Sequence, residues 1–247
     1  MNLLMTSKPQ SGRRVSGMVL AACALAVLAA CAPLQSGTTE YPVGRGRLVL
    51  PQGEWVALDR SDEALPLLPE PGATVPLQTR AVGLRGAHKD WLAILLVQTN
   101  STNHPRPTTL WTGSCPAQQG VMVEDATSRS AVRIDCLRFK RSAQGEGWLD
   151  KNHPLLAQWL SRQGAAPAQP YSHLNYRYAT EGGAYIEINA LVDQRLLRPQ
   201  TRSNEDFLRA GRPGQEWAHQ LAEAARLSTS MMDGYLAVPP FPIAPPN

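Results

Sequence analysis

The side chains able to do chemistry are few and far apart. Five histidines stand at His88, His104, His153, His173 and His219, and none forms the close pairing of a zinc motif such as H-E-x-x-H. A metal centre would have to be assembled wholly by folding, so no metal ligand is assigned. A serine nucleophile needs a strained turn beside an oriented imidazole. The usual G-x-S-x-G elbow is absent; the nearest approach, Trp111-Thr112-Gly113-Ser114-Cys115, reads better as a turn leading into a cysteine. Glu181, Glu187 and Asp193 share one region, and a carboxyl pair is what glycoside hydrolysis uses, but order along the chain does not give their separation in space. Gly182-Gly183 is explained by hairpin chemistry rather than as a phosphate cradle, and no dinucleotide or nucleotide fingerprint occurs. No catalytic residue and no cofactor are therefore assigned. Tyr176 and Tyr178 alternate on one strand-like run, with Tyr171 and Tyr185 nearby. Exposed, such a ladder could stack sugars or engage a partner; buried, it is ordinary sheet packing.

The elements that must position these groups change character along the chain. Arg47-Leu48-Val49-Leu50 and Glu54-Trp55-Val56-Ala57-Leu58 are strand-like and could pair across Pro51-Gln52-Gly53. Four prolines between Asp62 and Pro76 point to a surface loop. Trp91 to Val97 is continuously apolar, as expected for a strand buried on both faces, and His88-Lys89-Asp90 is a polar turn before it. Asn100 to Thr109 reads as a loop, with strands following at Gly120 to Glu124 and Ala131 to Phe139. Asn152-His153-Pro154 looks like a helix start with Asn152 as N-cap, and Gly164 can end that helix. A hairpin follows, His173 to Ala179 and Ala184 to Val192. In its second arm Ile186, Ile188, Ala190 and Val192 alternate with Glu187, Asn189 and Leu191. From Pro213 to about Tyr235 an apolar stripe through Trp217, Leu221, Ala225 and Met232 predicts a long helix lying on the sheet. The expected fold class is α+β, an antiparallel sheet packed by one short and one long late helix, with one disulfide.

The N-terminus carries an address. Lys8, Arg13 and Arg14 make a basic start with no acidic residue before Cys31, and an apolar run from Met18 to Ala30 follows. That run is shorter than the roughly 20 residues that span a bilayer and fits the core of a signal peptide. It ends Leu28-Ala29-Ala30-Cys31, which resembles the lipobox read by bacterial signal peptidase II. The resemblance implies cleavage before Cys31, diacylglycerol on its thiol, and membrane anchoring by acyl chains. Ala32 rather than Asp after the cysteine leans toward the outer membrane of a Gram-negative cell. Cys115 and Cys136 are then the remaining cysteines of an exported domain, and an oxidising periplasm favours a bridge between them. The series Trp111, Cys115, Cys136, Leu137 and Trp148 with a late Trp217-Ala218 helix resembles exported proteins of Gram-negative bacteria, which implies no activity.

Residues 1–30 thus read as signal peptide, 31–46 as lipidated cysteine and flexible tether, 47–236 as a single periplasmic α+β domain, and 237–247 as a proline-rich extended tail. Tyr41 and Val43 could instead pack on the domain, and Phe241 and Ile243 could latch the tail to it or leave it as a ligand for another protein. The chain counts 24 basic and 20 acidic side chains, and three of the basic ones precede Cys31, so the mature domain is nearly neutral and nucleic acid is excluded as a partner. The expected function is a membrane-anchored envelope lipoprotein, a non-catalytic binding or assembly module whose partner is an envelope protein or a glycan. The alternative is a periplasmic hydrolase acting on glycan or ester.

Overall fold

The continuously apolar run is an inner strand of the fold. In the computed structural model it forms β5 (Trp91–Asn100), with Leu92 to Leu95 and Val97 buried. The structure describes residues 39–68, 72–102, 108–111, 115–127, 130–144, 147–166, 170–199, 201–203, 205–206, 212–230 and 234–245. Cys31, the signal-like segment and residues 32–38 lie outside them, as do Ser114 and His104.

Seven strands make one antiparallel sheet. Its members are β3 (Glu54–Pro66), β4 (Thr74–Arg85), β5, β6 (Met122–Asp125), β7 (Ile134–Lys140), β8 (Tyr171–Ala179) and β9 (Tyr185–Asp193), in the order β3-β4-β5-β9-β8-β7-β6. A second sheet holds β1 (Thr39–Val43), β2 (Gly46–Leu50) and β10 (Tyr235–Ala237), with β10 parallel to β2. The described helices are α1 (Trp148–Asn152), α2 (Pro154–Gln163), α3 (Gln194–Leu197) and α4 (Pro213–Ser230). The antiparallel sheet, the short and long late helices and the disulfide of the expected α+β fold are all present. Among the described residues no helix is long and apolar enough to cross a membrane.

One face of the large sheet carries the main core. Because alternate residues point to opposite faces, Leu95, Val97, Leu137, Phe139, Leu174, Tyr176, Ile186, Ile188 and Ala190 share this side. Trp217, Ala218, Leu221, Ala222 and Ala225 of α4 cover it together with Leu48 and Leu50 of β2. Among the described residues, the opposite face is covered at its two ends. At one end Leu149, Leu156 and Leu160 of α1 and α2 sit over Ile94 and Leu191. At the other, Trp111, Tyr185, Ile134 and the Cys115–Cys136 bridge form a second apolar layer with Val75 and Leu77.

Several boundaries differ from the sequence reading. Residues 39–43 are no tether: β1 pairs along β2, Val43 is 2% exposed, and the Tyr41 hydroxyl donates to the Trp55 carbonyl. The hairpin across Pro51-Gln52-Gly53 does not form, because β1 and β10 already occupy both edges of β2, and β3 pairs with β4 instead. Much of the proline-rich stretch from Asp62 to Pro76 is also strand. Pro76 is tolerated because its carbonyl accepts from the Ser101 amide, so its missing N–H points to the same side, where β5 has just ended. Asn152 closes α1 with its amide on the Trp148 carbonyl, and His153 takes the N-cap position of α2 without a capping bond. Gly164 ends α2 in the left-handed conformation, as expected. Among the described residues the long helix runs to Ser230, and Tyr235 belongs to β10. A β-carbon on Gly234 would lie 2.0 Å from the Ser228 carbonyl oxygen, which explains glycine at that close approach.

The tail is latched. Phe241 stacks against Trp217 at 5.2 Å and Trp55 at 6.4 Å between ring centroids, the Trp217 indole donates to the Pro239 carbonyl, and the Ile243 amide donates to the Leu196 carbonyl. The anchoring ring of the tail is therefore spent on its own domain, as the latch alternative for Phe241 and Ile243 expects.

Candidate functional site: a polar groove across the sheet

Between the two apolar end layers the second face of the sheet is polar. The register brings a polar band of side chains, two adjacent rows wide, across six strands. Thr79 of β4 lies opposite Gln98 of β5, Gln98 opposite Glu187 of β9, Glu187 opposite Arg177 of β8, and Asn189 opposite Asn175. Ser61 of β3 pairs with Thr79 and Arg138 of β7 with Asn175, extending the band at both ends. A cleft of about 600 Å³ opens along part of this band, walled by α2 and lined by Ser61, Glu63, Gln98, Trp159, Glu187 and Asn189. Its size falls within the range of small-molecule sites.

The floor is held by a closed set of hydrogen bonds. Asn175, 5% exposed, donates its amide to Glu187 Oε1 at 2.8 Å and to Asn189 Oδ1 at 3.0 Å. Asn189 Nδ2 returns to Glu187 Oε1 at 3.3 Å, and the Tyr185 hydroxyl donates to Glu187 Oε2 at 2.7 Å. Burial and the adjacent Glu187 carboxylate push the Tyr185 hydroxyl up, so it stays a donor. His173 Nε2 lies 3.3 Å from Asn189 Oδ1. An amide oxygen can only accept, so the bond requires the imidazole to carry its proton on Nε2, and Asn189 Oδ1 accepts from both His173 and Asn175. Complete burial, with His153 nearby, pushes His173 down to about 3, and the ring is neutral at physiological pH. Burial and the Arg138 charge also hold His153 below the usual imidazole range. The two rings lie 4.3 Å apart, each 5.6 Å from Trp148.

The side toward β3 is looser. Gln98 donates to Glu63 Oε2 and to Thr79 Oγ1, both at 3.1 Å. On the helical wall the Trp159 indole donates to Asp59 Oδ2 at 2.8 Å, which fixes the ring plane. Leu155 and Trp159, one helical turn apart, form an apolar ledge, and Leu155 is 80% exposed. Beyond the floor Arg138 is held somewhat below the ordinary guanidinium range by burial and by the Arg177 charge; it donates to Gln118 Oε1, and Gln118 in turn bonds Asn152.

The tyrosine pair and two of the three carboxylates singled out by sequence fall elsewhere. Tyr176 is on the opposite face, 0% exposed beneath α4, its hydroxyl donating to Asp135 Oδ1 at 3.0 Å and pushed up mainly by burial. Tyr178 packs half-buried against the same core. Tyr176 is therefore core packing beneath α4, whereas Tyr178 keeps an open edge in a shallow cleft beside Arg226. Glu181, Glu187 and Asp193 do not converge either. Glu181 is exposed in the hairpin turn, and Asp193 is 0% exposed, capping α3 and bonding Arg195. Only Glu187 reaches the groove. Cys115 and Cys136 are joined. Among the described residues no three His, Cys, Asp or Glu side chains are grouped to hold a metal ion.

No single segment of sequence marks the groove. Its signal is distributed: one or two polar residues at alternating positions in each of several strands, Gln98 ending an apolar run, Asn175 with Arg177, Glu187 with Asn189. Each reads as a solvated strand face until the register aligns them. No protein family, curated protein or solved structure matches this chain.

Proposed function

We propose that the chain is an exported lipoprotein, processed and acylated at Cys31, whose domain serves as a non-catalytic binding module on the periplasmic side of the envelope, at the outer membrane. The N-terminal order of basic start, apolar core and Leu28-Ala29-Ala30-Cys31 supports the anchoring, and the Cys115–Cys136 bridge suits an oxidising compartment. One observation carries the binding role: the groove floor is organised before any ligand arrives. Glu187 is gripped by three donors from Asn175, Asn189 and Tyr185, so its orientation needs no further ordering when a partner binds. The hydrolase alternative gains nothing from Glu181, Glu187 and Asp193, which point to three different environments.

Cell fractionation of wild type and Cys31→Ser tests the anchoring. Wild type should sediment with membranes and be released by detergent, while the variant should appear in the soluble periplasmic fraction. Identical fractionation of the two proteins contradicts it.

A further inference from the structure

We infer that the groove takes an uncharged glycan, its hydroxyls held by Glu63, Gln98, Glu187 and Asn189 and its apolar ring faces by the Trp159–Leu155 ledge. This deepens the binding-module reading and rests on it.

The chemistry of the lining selects the ligand class. Sugars offer many hydroxyl groups, each both donor and acceptor, beside patches of C–H surface, so a sugar site needs fixed acceptors, a few amides and an apolar wall. All three are present. Asp59, Glu63 and Glu187 each accept hydrogen bonds from neutral donors. A carboxylate has about four acceptor positions. Glu63 receives a single bond, from Gln98, which leaves Oε1 without a partner among the described residues; Gln98 Oε1 is likewise open. These groups line the same cleft as Trp159 and Leu155, so acceptors and apolar ledge face one ligand. Trp159 is already oriented by Asp59, and a ring set in advance loses little freedom on stacking.

Charge disfavours the alternatives. An anion would meet Asp59, Glu63 and Glu187 along the cleft, and a polycation would meet Arg60 and Arg162, which line the same cleft. A neutral polyol meets neither penalty. The volume of about 600 Å³ and the open course of the cleft suit a short stretch of an oligosaccharide.

Titration calorimetry on the detergent-solubilised full chain tests this with three neutral probes, the hexamers of N-acetylglucosamine, β-linked glucose and α-linked glucose, beside hexalysine. At least one sugar hexamer should bind saturably with Kd of about 1 mM or tighter. Gln98→Ala and Trp159→Leu should each weaken it by about tenfold or more, with the urea midpoint of Gln98→Ala unchanged. The conservative Trp159→Phe should restore part of the affinity. Three outcomes overturn the inference: no saturable binding of any sugar, binding that both variants leave intact, or saturable binding of hexalysine alone. Membrane release of Cys31→Ser is scored independently, so these results reject the glycan without touching the anchor.

Discussion

His173 is the most deeply buried titratable group of the groove floor, and replacing it with glutamine tests whether that floor is a neutral, prearranged network. An imidazole titrating near 6.5 in the unfolded chain and about 3 in the folded one binds its proton only after unfolding throughout that interval. Stability should therefore be independent of this ring above about pH 7 and fall progressively as pH drops through 6.5 toward 3. At pH 5 the unfolded imidazole is almost fully protonated and the native one is not, which costs the fold about 2 kcal/mol. The carboxylates contribute little between pH 7 and 5, since they ionise below that window. His153 adds a change in the same direction, its value being depressed by burial. Urea unfolding at pH 7 and pH 5 gives the measurement. Wild type should lose about 2 kcal/mol or slightly more, and His173→Gln, which keeps a side-chain N–H for Asn189 Oδ1, should lose less than half as much. Equal losses in the two proteins would refute the placement of a neutral ring at the centre of the floor.

Two further perturbations address the frame around the groove. Replacing both Cys115 and Cys136 by serine opens a bridge between residues 21 apart and should lower unfolding free energy by about 3 kcal/mol, read as a shift in urea midpoint that a reductant reproduces in wild type. Phe241→Ala removes the ring between Trp55 and Trp217; because that ring is half-buried, the loss should be about 2 kcal/mol, below the full core value, and amides of β10 should exchange faster. An unchanged midpoint would mean that the tail does not hold the small sheet.

What was legible in the sequence follows from where local pattern decides structure. The run Trp91 to Val97 is apolar on both faces because β5 is covered on both, and its neighbours on the sheet cannot change that reading. The stripe through Trp217 and Leu221 predicts α4, and an oxidising compartment predicts the Cys115–Cys136 bridge. Pairing was not legible. Leu48 and Leu50 look the same whether β2 bonds to β3 or to β1 and β10, and only the distant return of Tyr235–Ala237 decides between them. Proline weighed too heavily at Pro66 and Pro76, where one sits at the end of β3 and the other beyond the ladder of β5. The groove was hidden for the same reason. Tyr176 stands out in the sequence as an aromatic residue, yet its even-numbered side of β8 lies beneath α4, and it is Asn175 on the odd side that holds Glu187 in the groove floor.

The proposed role requires a domain exported and held by lipid. Intact-mass analysis of the protein purified from its native membrane measures this directly. The expected species begins at Cys31 and carries a diacylglycerol thioether with the Cys115–Cys136 bridge closed. A chain that retains residues before Cys31, or one that begins there without fatty acid, would contradict it.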